Sequence, residues 1–305
     1  MSFRPYTDEY KARFAELAEL FFECRQAFRD VAESTSWRPA PDSPAAKDIQ
    51  KLSEHDPSYP QTVPPKIIMV LYFYLYAASE HLGSLGALYT MQEVLISPGV
   101  LLRSVLEHCA VSMWLLQRGN SPLEDRLARA YLEELASAEE AKKASGRLLG
   151  KTSDQHRNWA ARLKALREEA ELIFGKPPLD DEGGPSIRDQ RRLGPTETIV
   201  WMLSSMGQPR DKIEAAGVYD FLSNLSHPTL YPHYEGWMRA DDDGEVRSTM
   251  DLDAHEKQLR LAVIPYYETL TYVMSYNRWP PAPQERLTAA MERVLPGVFV
   301  ASEKV

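Results

Sequence analysis

At 305 residues and 44% apolar side chains, the chain is long enough to bury a substantial core. Its 35 basic and 44 acidic residues leave a formal charge of −9, which argues against non-specific nucleic-acid binding, where Lys and Arg must neutralise phosphate. Cys24 and Cys109 are the only cysteines, too few for a disulfide framework or a cysteine-based zinc site. The first residues lack an apolar signal core, and the apolar run Ile67 to Ala78 stops well short of the roughly 20 residues a bilayer needs. These features predict a reduced, cytoplasmic protein without membrane attachment.

Thr7 or Asp8 is positioned to cap a first helix to about Glu33, because Phe14, Leu17, Leu20, Phe21, Cys24 and Phe28 recur at three- and four-residue intervals. Residues 34–65 then hold seven prolines and read as a surface strap with a short helix at Ala45 to Ser53. Lys66 to about Glu93 forms a second long helix, and residues 98–116 a third. The link from Val94 to Ser97 is short enough to make these two antiparallel neighbours. Pro122 to Leu149 and Ser153 to Phe174 are charged amphipathic segments, read as a hairpin of outer helices. In the first of these, Arg126 and Arg129 face either an inward acid or water, and water is the commoner case. Residues 175–194 form a polar loop. Helices are predicted from Pro195 and over Asp211 to Leu225, with His227 held out of the helix by Pro228. Residues 228–250 are a second polar loop. A long helix capped by Asp251 or Asp253 runs to Asn277, and Pro280 to Leu295 supplies a short last one.

No repeat period, Gly-rich phosphate loop or alternating strand pattern interrupts this series. The expected fold is all-α, a multi-helix bundle in one domain over 1–305, with two central buried antiparallel helices.

Those two helices also hold the candidate chemistry. Plotted at 100° per residue, Val105, Leu106, Ala110, Val111, Trp114, Leu115 and Leu116 surround the axis of the 98–116 helix, which marks it as a buried element. Yet Arg103, Glu107 and His108 sit in it, and charges removed from water need partners. Arg103 and Glu107 are four apart on one face; a structural ion pair is the plain reading, an anion-holding Arg beside a proton-accepting Glu the functional one. His108 points about 100° away from Glu107. Glu80 and His81 repeat the acid–imidazole pair on the preceding helix. Counted at 1.5 Å per residue, Glu80 lies about 8 Å along from Glu107 and His108, within reach of long side chains or one small ligand.

The spacing of these groups lacks Glu-x-x-His and His-Glu-x-x-His, so neither a metal nor a cofactor is expected. Ser223 and Ser226 lack the glycines of a nucleophile elbow and are read as ligand-binding; His227 at a helix end is a simple capping residue in the plain reading and a proton-transfer or anion-binding residue in the functional one. The site expected from the residues alone is therefore an aromatic-walled pocket. Arg103, Glu107, His108 and His227 would carry acid–base chemistry in it, and Glu80, His81, Trp114, Ser223 and Ser226 would contact a small organic ligand.

Arg103 followed after four residues by His108, with Ser104 next to the arginine, resembles the Arg, four-to-six residues, His motif of HEPN helical proteins. The stretch Ser223-Asn224-Leu225-Ser226-His227 near a later helix end is similar to uncharacterised bacterial HEPN-like proteins. These two pieces cover roughly a tenth of the chain. The resemblance implies a metal-independent ribonuclease or toxin-type homodimer with Arg103 and His108 acting on RNA at the dimer interface. A non-enzymatic interaction protein with a structural ion-pair network is the third alternative.

Overall fold

The computed structural model describes residues 6–56, 58–94, 97–117, 121–179, 184–206, 212–226, 238–240, 246–248 and 252–299. It is an all-α bundle, 78% helical, with ten helices among the described residues. These are α1 (Asp8–Thr35), α2 (Pro44–His55), α3 (Lys66–Met91), α4 (Ser97–Leu116), α5 (Leu123–Leu149), α6 (Asp154–Phe174), α7 (Pro195–Ser205), α8 (Lys212–Ser226), α9 (Leu252–Asn277) and α10 (Ala282–Val294). The chain divides into two compact units, one comprising residues 1–38, 74–112 and 195–305, the other 39–73 and 113–194.

In the first unit α1 starts where expected: Thr7 Oγ1 accepts from the Tyr10 amide, and Asp8 and Glu9 lie at the positive end of the helix dipole. It ends on Ser36 in the left-handed region (φ 48°), whose N–H bonds the Ala32 carbonyl. Phe14, Leu17, Phe21, Cys24, Phe28 and Val31 form its buried stripe. Antiparallel α3 and α4 are the centre, with α1 packed on α3. Phe14 meets Tyr89 and His255 edge-on, with centroids 5.5 and 4.9 Å away, in a core of aromatic rings. In α9, Pro265 removes one helical N–H, and its own carbonyl accepts from Thr269 Oγ1 at 2.7 Å. Past the end of α9, the buried Trp279 indole donates to the Arg38 carbonyl at 2.8 Å and stands edge-on to Trp37, centroids 4.8 Å apart.

In the second unit α5 and α6 pair as the expected hairpin, turned by Gly150 (φ 86°) and restarted by Ser153, whose Oγ caps the His156 amide. The proline-rich segment is more than a surface strap. Ser43 caps α2, Pro44 fills its first turn, and Ala45, Asp48, Leu52 and Val63 are buried. Arg126 reaches inward to Asp48, and Arg129 is also internal, 1% exposed. The Arg129 guanidinium donates to the carbonyls of Trp114 and Leu115 (both 3.2 Å), to Gln190 (2.9 Å), to Ser121 (3.1 Å) and to Gln117. The water-facing reading is thus corrected for both: Arg126 takes the inward acid, Asp48, and Arg129 takes the carbonyls at the end of α4, backbone acceptors that leave no signature in spacing.

Both loops expected to be without strands contain one short antiparallel ribbon. β1 (Ser186–Ile187) pairs with β2 (Gln190–Arg191) in the second unit, and β3 (Met238–Ala240) with β4 (Val246–Ser248) in the first. Strands of two and three residues are too short to show alternation.

Candidate functional site

α4 is the one described helix long and apolar enough by composition to cross a membrane, but 61% of that stretch is buried within the protein. It is not dry all round. Val100 is exposed, and Arg103, Ser104, Glu107, His108 and Val111 are part-exposed along one side. The side chains of Arg103 and Glu107 are 21% and 32% exposed, so the charges stand at the margin of the core and not in its interior. This corrects the all-round apolar reading, and the physical reason is ordinary: a helix rich in Leu and Val can still be half-wet.

Arg103 and Glu107 share the face of α4 that meets α8. Arg103 Nε donates to Glu107 Oε1 at 2.8 Å, Nη1 to Ser226 Oγ at 2.7 Å and Nη2 to the Tyr219 hydroxyl at 2.7 Å. Tyr219 donates in turn to Glu107 Oε1 at 3.3 Å, and Ser226 to the Ser223 carbonyl at 2.9 Å. Every hydroxyl therefore has one bond in and one out, a consistent assignment of protons. The guanidinium also lies 5.0 Å from the Tyr219 ring centre. Tyr219 and Ser226 are seven apart, two turns of α8, which puts both on one face. α8 is held against α4 at Gly99, where a Cβ would stand 2.5 Å from Leu225 Cδ1 and 2.8 Å from its Cβ.

Burial alone would lower the Arg103 pKa, but the hydrogen bond and charge of Glu107 outweigh it and leave the group raised. The Tyr219 pKa is raised by burial first and by Glu107 second, with Arg103 opposing. Both protons are therefore held firmly, and neither group is a base in this state.

His108 turns instead toward α3. Its Nδ1 lies 2.6 Å from the Ser104 carbonyl, and its ring is 5.5 Å from that of His81 and 5.7 Å from that of Tyr74, centre to centre. Because a carbonyl only accepts, Nδ1 carries the hydrogen and the ring lone pair lies on Nε2. Burial, then His108, push the His81 pKa below the ordinary histidine value.

The structure thus brings Arg103, Glu107 and Ser226 into one network, to which Ser223 lends its carbonyl, and His81 and His108 into another. Glu80 joins neither: it accepts from Arg29 of α1 at 3.3 Å. Trp114 belongs to the second unit, where Arg129 lies 5.7 Å from its ring centre. His227 lies outside the described residues, as do residues 180–183 of the first polar loop and most of the second. Among the described residues no three of His, Cys, Asp and Glu are grouped to hold a metal ion.

Tyr219 is the member that sequence reasoning missed; its seven-residue spacing from Ser226 was the available signal. Lys66 was missed as well. In the second unit its fully buried Nζ pairs with Glu134, and with Glu169 at 3.6 Å, and it lies 4.2 Å from the Tyr131 ring centre. Tyr131 donates to Glu169 at 3.0 Å, and Arg162 to Glu134 at 3.1 Å. A cleft of about 300 Å³ also lies in the second unit, walled by Leu132, Leu135, Leu163 and Leu179 with Arg167 and Arg192. None of the expected site residues lines it.

The chain matches no protein-family model, no curated protein and no solved structure.

Proposed function

We propose that the first unit binds a small organic anion beside Arg103 and performs acid–base chemistry on it without a metal. One observation carries this reading: Arg103 spends three of its five N–H donors on Glu107, Ser226 and Tyr219, so a part-exposed cation is locked in orientation with donors to spare. A guanidinium fixed in this way has little side-chain entropy left to lose when an anion arrives. His108, five residues further along α4, supplies Nε2 for proton transfer.

The test is to titrate the full chain with short carboxylates and with phosphate monoesters while following the Arg103 Nε–H resonance. The expected result is a saturable shift for at least one of them, with affinity reduced tenfold or more in Arg103→Lys, which lacks the planar fork. No shift with any anion, or equal affinity in Arg103→Lys, would overturn it.

The second reading is a HEPN-like ribonuclease. It is favoured by the partial exposure of Arg103 and His108 on the same helix, which leaves both within reach of a polymer. It expects a homodimer by sedimentation and RNA cleavage in the presence of EDTA that is lost in Arg103→Ala and in His108→Ala. Failure of both readings leaves a non-enzymatic interaction protein whose ion pairs are structural.

A further inference from the structure

His81 and His108 stand side by side, with ring centres 5.5 Å apart and planes inclined at 54°. Ser104 holds the hydrogen of His108 Nδ1 in both charge states, so this ring gains and loses its proton at Nε2 alone. Of the other ionisable groups, Tyr74 stands beside His108, and Glu80 and Glu107 directly precede the two histidines in sequence. Both carboxylates have cations of their own, Arg29 for Glu80 and Arg103 for Glu107, the latter also bonded by Tyr219.

We infer that His81 and His108 form a proton-sharing dyad, which over the interval between its two titrations holds one proton and offers one acid and one base. The inference deepens the reading of His108 as the proton-transfer group and rests on it. Two imidazolium charges this close, both drawn partly out of water, repel, so the pair takes up its first proton readily and its second only at lower pH. When that proton is on His108, Nδ1–H keeps its bond to Ser104 and Nε2 carries the added hydrogen. In that state His108 Nε2–H can give a proton to a substrate while His81 accepts one from it. Return of the proton from His81 to His108 through solvent then restores the starting state, and no net proton is gained or lost. His81 acts here through its neighbour as well as directly; burial first, and His108 second, hold its pKa below the ordinary histidine value.

The experiment is a pH titration of the histidine Cε1–H resonances in the full chain, in wild type, His108→Gln and His81→Gln. The expected result is a rise in the His81 midpoint of about half a pH unit or more in His108→Gln, as removal of a like charge at this distance requires even with water-like screening. An unchanged midpoint would show that the rings titrate independently and would overturn the dyad. If His108→Gln does not fold, the wild type decides: the His81 resonance must show a second inflection at the His108 midpoint, and a single inflection refutes the inference. Anion binding is read separately at Arg103 Nε–H, so the dyad and the anion site can fail one without the other.

Discussion

The Tyr219 hydroxyl accepts from Arg103 Nη2 at 2.7 Å while its ring lies beneath the same guanidinium, 5.0 Å from ring centre to Cζ. Tyr219→Phe keeps the ring and deletes the hydroxyl that joins Arg103 to Glu107. The expected loss is about 1 kcal/mol in urea unfolding; Arg103→Ala should cost about 1–2 kcal/mol, because water can reach the open side of the cluster. A Tyr219→Phe variant as stable as wild type would mean that solvent already satisfies these groups.

The glycines of the central helices differ in what surrounds them. At Gly99 an added Cβ meets the Cβ of Leu225, which no rotamer change can move, so Gly99→Ala should destabilise by about 1–3 kcal/mol despite the better helix former. At Gly83 the nearest atoms belong to the end of the flexible Arg25 side chain, and Gly83→Ala should be neutral or stabilising by up to about 1 kcal/mol. Thermal unfolding of the two variants side by side checks the contrast, and the same sign for both would contradict it.

Lys66 is 0% exposed with two carboxylates around it, so removing its charge leaves both of them in a poorly hydrated site. Lys66→Met should cost about 3–5 kcal/mol. The triple variant Lys66→Met, Glu134→Gln, Glu169→Gln should recover a large part of that loss, since no buried charge then lacks a partner. Equal stability of the single and triple variants would show that the cost is one of shape.

Burial pushes the Cys109 thiol up to about 12, against a small lowering by Thr269, and raises that of Cys24 by the same cause. Both proton affinities are higher in the folded chain than in the unfolded one. The folded state therefore keeps its full stability below about pH 9 and loses it as pH rises through the window from there to about 12, by at most about 1.4 kcal/mol per pH unit for each thiol. Denaturant midpoints at pH 8 and pH 10, in wild type and Cys109→Ala, should show a shallower decline in the variant. At pH 8 a thiol reagent should modify these cysteines only at the rate of unfolding.

The helices were legible because their apolar spacing and caps are local: Thr7, Ser153, the prolines before α3 and α5 and the proline that opens α7 mark their starts to within a residue or two. Rotation about each axis was not legible, since it is set by partners distant in sequence. Arg103 and Glu107 were found as a pair because they are four apart on one helix, but nothing local brings Tyr219 to them. The burial of Arg129 depends on carbonyls at the end of α4, and that of Lys66 on carboxylates from α5 and α6. Composition also misled: α3 and α4 are apolar enough to suggest complete enclosure, yet Phe73, Tyr76, Met91 and Val100 are exposed on them.

The bond from Trp279 to the Arg38 carbonyl joins positions 241 residues apart, so the end of α1 is fastened only after all the residues between them have left the ribosome. A nascent chain that stops short of this indole has every residue of the first helix and lacks the clasp that closes its corner. The paired indoles at that corner make its closure visible as a change in ultraviolet emission, an intrinsic optical marker for this one contact.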